Sequence, residues 1–144
     1  MKPSKLQRRL TIAATAAALC AAMGTAHAGR SCEQKPPSVQ TIKQGMELAA
    51  QTSKALDASG AKVVALGRAG QDLSKYQLRY SHFGWAYKTP QGQWLVDHKL
   101  NECGTSVSHI YRQGLGEFFL DDLWRFEAVW VVPTPEVPER LYGL

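Results

Sequence analysis

The chain has 144 residues, with 17 basic and 12 acidic side chains and a formal net charge of +5 at pH 7. Four basic residues and no acidic ones fall within residues 1–28, so the remaining 116 residues carry 13 basic and 12 acidic side chains. This near-neutral balance argues against a nucleic-acid-binding surface, which needs clustered Lys and Arg. Residues 29–144 have the length of one small domain, and we predict a single domain there.

Residues 1–28 have the three parts of a secretory signal peptide. Four basic residues within the first nine are followed by the apolar run TIAATAAALCAAMG and then by the small-x-small sequence Ala26-His27-Ala28. The apolar run is too short and too rich in Ala for a membrane span. We therefore predict cleavage after Ala28, a periplasmic or secreted protein, and no stable membrane span after cleavage. A retained membrane anchor is the alternative.

Two cysteines remain once the signal peptide, which contains Cys20, is removed. Cys32 and Cys103 form an even pair in an exported chain, which is typical of a disulfide in an oxidising compartment. Such a bond would close a long loop and stabilise the fold by roughly 4 kcal/mol in the chain-entropy view. The competing interpretation is that one of the two is a reactive thiol.

Residues 38–60 have the pattern of an amphipathic helix. Ser38, which follows two prolines, suits the N-cap, and Gly60 suits the C-cap. Small residues between them, such as Gly45, allow the helix to approach a sheet closely. The apolar stripe that we expect to face the core has helical spacing and consists of Val39, Ile42, Met46, Ala49 and Leu56.

Aromatic and β-branched runs separated by turn residues predict strands. The first three expected strands are residues 62–66 (KVVAL), 80–87 and 94–100. Residues 67–75 are expected to form a loop, and KTPQGQ to connect the second and third strands as a hairpin. A further strand is expected at residues 124–132 (WRFEAVWVV).

The C-terminal third mixes helix and strand signals. Residues 105–112 (TSVSHIYR) are expected to form a short helix capped by Thr105, and residues 114–122 (GLGEFFLDD) an irregular or single-turn segment. A last helix is expected to begin after Thr134; only about ten residues then precede Leu144, which is typical of a domain whose C-terminal continuation is missing. We predict an α+β fold in which an N-terminal helix packs on an antiparallel sheet of four to five strands.

Each strand of the expected hairpin carries one histidine. Side chains alternate across a strand, so His82 shares a face with Gly84, and His98 shares one with Val96. In the register that we expect, His82 lies directly opposite His98 and Gly84 directly opposite Val96. The Cβ atoms of the two histidines are then roughly 5 Å apart. Gly84 would leave room above the sheet for a substrate or for another side chain.

A histidine held by a second polar group in a partly apolar setting suits general-base catalysis. We therefore predict His82 and His98 as a catalytic pair in which His98 orients His82. The alternative is that both are structural, with His98 half-buried in the sheet. A metal site would need a third ligand from among Asp97, Glu102 and His109. Asp97 points to the opposite face by alternation, and we predict neither a metal nor a cofactor.

Two other sets of residues have a functional and a structural interpretation. Asp121-Asp122 could supply acids to a site, but adjacent acids before a strand are typical of turns and surfaces. The tryptophans could line a groove for an acyl chain or a glycan, although they fall in predicted strands and are typical of a core. They are Trp85, Trp94, Trp124 and Trp130.

Over about residues 30–142 the chain resembles the exported bacterial family called domain of unknown function 2145. The resemblance is carried by three stretches: RAGQDLSKYQLRYSHFGWAY, HKLNECGT and YRQGLGEFFLDDLWRFEA. The strand pair is also similar, more distantly, to the permuted papain-like group. That group includes the NlpC-related YiiX-like proteins and the lecithin retinol acyltransferase relatives. Its members place a histidine in one strand, matched here by Tyr80-Ser81-His82-Phe83-Gly84-Trp85. A second polar residue, often His, follows on the next strand and is matched by Val96-Asp97-His98.

The second resemblance implies a permuted papain-like core and a hydrolase or acyltransferase that acts on amide or ester bonds of the cell envelope. In that group the nucleophilic Cys begins a later helix. Here no Cys follows Cys103, which is itself the candidate nucleophile. Either the nucleophile lies in a missing C-terminal part, or the family uses this core without thiol chemistry.

The alternative function is a catalytically inactive periplasmic binding or structural module with a Cys32–Cys103 disulfide. In either case the expected partner is a small envelope substrate or a peptide.

Overall fold

The structure is a computed structural model that describes residues 36–121 and 123–142. These residues form one antiparallel sheet of five strands with helices packed against it. The strand order is β4-β3-β2-β1-β5. This arrangement confirms the predicted α+β class. The elements in chain order are α1 (Val39–Ser59), β1 (Val63–Ala69), a 3-10 turn (Ser74–Tyr76), β2 (His82–Lys88), β3 (Trp94–Asn101), β4 (Ser108–Gly114), α2 (Leu115–Leu120), β5 (Arg125–Val131) and α3 (Glu136–Tyr142).

Helix α1 begins and ends at the predicted caps. The Ser38 Oγ accepts a hydrogen bond from the Thr41 backbone N–H at 3.0 Å. Gly60 has φ = 70°, a left-handed conformation that favours glycine and closes the helix. At the C-terminal end of α1, the Asp57 carboxylate accepts hydrogen bonds from the Lys88 ammonium and the Trp94 indole N–H, each at 2.7 Å. These bonds fix the helix over the β2–β3 hairpin.

The helix lies on the face of the sheet that carries the core. Its buried residues are Gly45, Ala49, Thr52 and Leu56. The predicted stripe is therefore wrong in its first half, because Val39, Ile42 and Met46 are exposed. A Cβ on Gly45 would lie 3.0 Å from both the Phe119 carbonyl oxygen and a methyl group of Leu120, so α1 approaches α2 closely at this glycine. The core that they cover consists of Val64, Leu66, Ala86, Trp94, Val96, Leu115, Phe118 and Phe119.

Residues 108–114 form an edge strand, so the helix predicted at residues 105–112 is wrong. Gly104 adopts φ = 73°, which turns the chain back after β3. The Thr105 hydroxyl stabilises this turn: it donates to the Glu102 carbonyl and accepts from the Val107 N–H. The threonine expected to cap a helix therefore closes a hairpin instead.

Two other element boundaries differ from the prediction. Strand β1 continues to Ala69, three residues into the expected loop, because β5 and β2 both pair with it. Residues 115–120 form a regular helix, where an irregular or single-turn segment was expected. The strand expected at residues 124–132 and the helix expected after Thr134 are both present. No helix within residues 36–121 and 123–142 combines the length and apolar character that a membrane crossing requires.

Candidate functional site

Strands β2 and β3 bring the two histidines together on the core face, but not in the expected register. The observed pairs include Ala86 with Val96 and Lys88 with Trp94, so the strands are displaced by two residues from the expected register. His82 therefore lies diagonally from His98 and not directly opposite it. An even displacement leaves every side chain on its original face, which is why the two rings still meet.

The imidazoles form a direct hydrogen bond. His82 Nε2 lies 2.8 Å from His98 Nδ1, and the ring planes are nearly perpendicular. Gly84 makes this contact sterically feasible, since a Cβ at that position would lie 2.8 Å from the His98 Cβ and 2.7 Å from a methyl group of Val96. The side chains of His98 and Val96 therefore fill the space over Gly84, for which either a substrate or another side chain was expected.

The hydrogen-bonded row continues from His98 to the protein surface. His98 Nε2 lies 2.7 Å from Gln113 Oε1 on β4. The Gln113 amide nitrogen in turn donates to the Glu117 carboxylate on α2 at 3.1 Å. His98 is only 2 % exposed, His82 is half-buried and Glu117 is exposed. Four side chains from β2, β3, β4 and α2 thus form one continuous row.

Phe118 forms the apolar wall of this site. Its fully buried ring lies 5.2 Å from the His98 ring and 6.0 Å from the His82 ring, measured between centroids. The Arg68 guanidinium lies 4.6 Å from the centre of the same ring. Arg68 also donates to the Phe118 carbonyl oxygen and to the Asp121 carboxylate. A cation that is 3 % exposed is thereby neutralised beside the two histidines.

Burial is the main influence on the charge state of the pair. It lowers the pKa of His82 from 6.5 to about 4, and the Arg68 guanidinium and the His98 ring act in the same direction, while Asp121 opposes them. Burial also lowers the pKa of His98, against the hydrogen bond to Gln113 that favours the charged form. Both rings are therefore neutral at pH 7, so each ring has one nitrogen that carries a proton and one that carries a lone pair.

The candidate nucleophile does not join the pair. Cys103 lies in the exposed turn between β3 and β4, two residues after β3 ends. Cys32 lies outside the described residues, so the disulfide stays a prediction. Of the two adjacent acids, Asp121 contacts Arg68, and Asp122 also lies outside the described residues.

The three residues considered as a third metal ligand lie apart from the pair. Asp97 is on the other face, where its carboxylate pairs with Arg112 at 2.9 Å. Glu102 lies in the β3–β4 turn, and His109 is an exposed residue of β4 and not of a helix. Among residues 36–121 and 123–142, no group of three His, Cys, Asp or Glu side chains could hold a metal ion.

The tryptophans do not form a groove beside the histidines. Trp94 is buried in the core, and Trp130 packs against that core. Trp85 is half-buried on the opposite face of β2, whereas Trp124 is 39 % exposed just before β5. A shallow depression between α1 and β5, lined by Leu48 and Phe126 among others, includes neither histidine.

Three site residues have no motif of their own in the sequence. Arg68 falls in the segment that was expected to be a loop, Gln113 in the connection after an expected helix, and Glu117 in the expected irregular segment. Arg68 continues the alternation of Val64 and Leu66, and this is the one pattern that could have placed it on the core face.

Comparisons with known proteins place the chain in one family. The family model described as "Uncharacterized protein conserved in bacteria (DUF2145)" matches residues 55–144, a range that includes all five strands and both histidines. This match confirms the first resemblance, although it begins later than residue 30. No curated protein matches the chain, and no solved structure does. The more distant papain-like similarity therefore stays a prediction.

Proposed function

The chain belongs to the bacterial family DUF2145, and from this premise we propose that it is an exported hydrolase or acyltransferase of the permuted papain-like kind. Its substrate would be an amide or ester of the cell envelope. The observation that carries the proposal is the 2.8 Å hydrogen bond between His82 Nε2 and His98 Nδ1. A second polar group thereby orients the ring of His82, as general-base catalysis requires.

In the proposed reaction, His82 acts through Nδ1, the nitrogen that is not bonded to His98. Nδ1 takes the proton of a water or of a thiol as its oxygen or sulfur attacks the carbonyl carbon. The bond from that carbon to the leaving nitrogen or oxygen then breaks, and His82 returns the proton to the leaving group. Attack by water yields the free acid. Attack by a thiol yields an acyl-thiol, which a second water or an acceptor hydroxyl or amine resolves.

We expect His82→Ala to abolish this activity with little effect on folding. Removing a general base lowers the rate by roughly 100-fold or more. Turnover of p-nitrophenyl butyrate and of alanine p-nitroanilide by the exported protein would be measured beside its thermal unfolding. The matched control is His109→Ala, which removes an exposed imidazole on β4 and should leave turnover unchanged. Equal turnover by the parent and by His82→Ala would contradict the hydrolase proposal.

A second candidate function is a catalytically inactive periplasmic module, and two observations favour it. Phe118 fills the space beside both imidazoles. The lowered pKa of His82 also shows that burial disfavours the imidazolium that a general base must become. In this alternative the row of polar side chains gives the core a single arrangement, and Cys32 and Cys103 form a disulfide.

The proposed disulfide has a direct test. Alkylation of the exported, cleaved protein should modify no cysteine under denaturing conditions without reductant, and two after reduction, as counted by mass spectrometry. Modification of both cysteines without reductant would contradict the bond. It would also leave Cys32 and Cys103 available as thiols for the catalytic proposal.

A further inference from the structure

The row of side chains from Glu117 to His82 has a fixed direction of hydrogen bonding. A carboxylate can only accept hydrogen bonds, so the Gln113 group that faces Glu117 must be the amide NH₂. The Gln113 carbonyl oxygen then faces His98, and a carbonyl oxygen can only accept. His98 must therefore carry its proton on Nε2.

The same assignment of donors and acceptors determines which nitrogen of His82 carries the proton. A neutral His98 with its proton on Nε2 has a lone pair on Nδ1, so Nδ1 accepts the hydrogen bond between the rings. His82 must donate that bond and carries its proton on Nε2. The Nδ1 of a neutral His82 is then the nitrogen with the free lone pair.

We infer that Glu117, acting through Gln113 and His98, is the positioning residue that holds His82 in the Nε2–H tautomer with its Nδ1 lone pair free. The assignment of this tautomer rests on hydrogen-bond geometry alone. Its meaning for catalysis rests on the proposed function, because Nδ1 is the atom that would accept the proton. Glu117 itself is exposed on α2 and three hydrogen bonds away from that atom.

Without Glu117, the row can run in the opposite direction. If the Gln113 amide turns over, its NH₂ donates to His98 Nε2, and His98 carries its proton on Nδ1. His98 then donates to His82 Nε2, which moves the His82 proton to Nδ1 and removes the free lone pair there. In the native protein this reversal would place the Gln113 oxygen against the Glu117 carboxylate, two acceptors in contact, which is unfavourable.

The test is a long-range proton–nitrogen NMR spectrum of protein labelled with ¹⁵N-histidine, recorded at pH 7. Such spectra distinguish the two neutral tautomers of each ring. We expect both His82 and His98 as Nε2–H tautomers in the native protein. In Glu117→Ala the ratio of the tautomers should shift toward Nδ1–H by roughly fivefold or more, the effect of losing one hydrogen bond. The matched control is Glu47→Ala, which removes an exposed carboxylate from α1 and should shift neither ring.

A double variant tests whether the direction of the hydrogen bonds, and not the presence of Glu117 as such, determines the tautomers. Gln113→Glu with Glu117→Gln places the carboxylate next to His98, where it accepts from Nε2–H and should restore the native tautomers. A native His82 with its proton on Nδ1, or unchanged tautomers in Glu117→Ala, would overturn the inference. Native tautomers without turnover would leave the inference standing and count against the proposed function alone.

Discussion

Replacing Phe118 by Ala should lower the free energy of unfolding by about 3–5 kcal/mol, as expected for the loss of a fully buried phenylalanine. The Phe118 ring is 0 % exposed and touches Phe119 as well as both histidines and Arg68. Its removal leaves a cavity lined by the two imidazoles and the Arg68 guanidinium. Denaturant unfolding followed by fluorescence would measure the change.

The matched control for this prediction is Phe83→Ala. Phe83 belongs to the same strand as His82, but it points to the opposite face of the sheet and is 65 % exposed. Its replacement should cost less than about 1 kcal/mol, because little apolar area leaves contact with the core. Equal losses in the two variants would mean that Phe118 is not the wall of the histidine site.

The placement of Phe118 depends on the helix that carries it. Helix α2 has six residues, and its buried positions, Leu115, Phe118 and Phe119, repeat at three and four residues. A helix this short is marginal in isolation, so packing against α1 and the sheet stabilises it. Its sequence therefore does not distinguish a helix from a single turn. The helix is stabilised by its close contact with Gly45 of α1, and the sequence of residues 115–120 alone does not reveal that contact.

The face on which each histidine lies follows from the sequence, whereas the register does not. Strand alternation places His82 and His98 on one face in any register that differs by an even number of residues. The register itself is set by the turn, in which the Thr89 N–H donates to the Gln93 carbonyl at 2.8 Å. Gly92, at φ = 85°, completes this turn. The sequence KTPQGQ marks a turn, but not the pair of residues at which it closes.

The edge strand β4 shows another limit of sequence patterns. A strand with one buried face alternates apolar and polar residues, but most of β4 is exposed on both faces and shows no such alternation. Gln113 reaches the site only because β4 pairs with β3, where Gln113 lies opposite Val96. Arg68 likewise reaches it only because β1 extends between β2 and β5. Side chains brought together by strand pairing alone leave no local motif.

The neutral state of His82 makes the stability of the fold depend on pH. The pKa of His82 is about 4 in the folded protein and 6.5 in the reference state. Between these values the unfolded chain binds more protons than the folded one, so stability is full above pH 6.5 and is lost as the pH falls toward 4. The difference corresponds to roughly 3 kcal/mol. Solvent around the half-buried ring reduces the expected loss to about 2 kcal/mol, and the lowered pKa of His98 adds to it in the same direction.

The measurement is the free energy of unfolding of the parent protein and of His82→Gln at several values between pH 4 and pH 8. Carboxylates with lowered pKa values, such as Asp57 and Glu127, also weaken the fold in acid, but their contributions are common to both proteins. The difference between the two curves should therefore isolate His82. We expect the parent to lose about 2 kcal/mol more than His82→Gln between pH 7 and pH 4. Parallel curves would show that the ring is charged as readily in the fold as in the unfolded chain, and Phe118 and Arg68 would then not control its protonation.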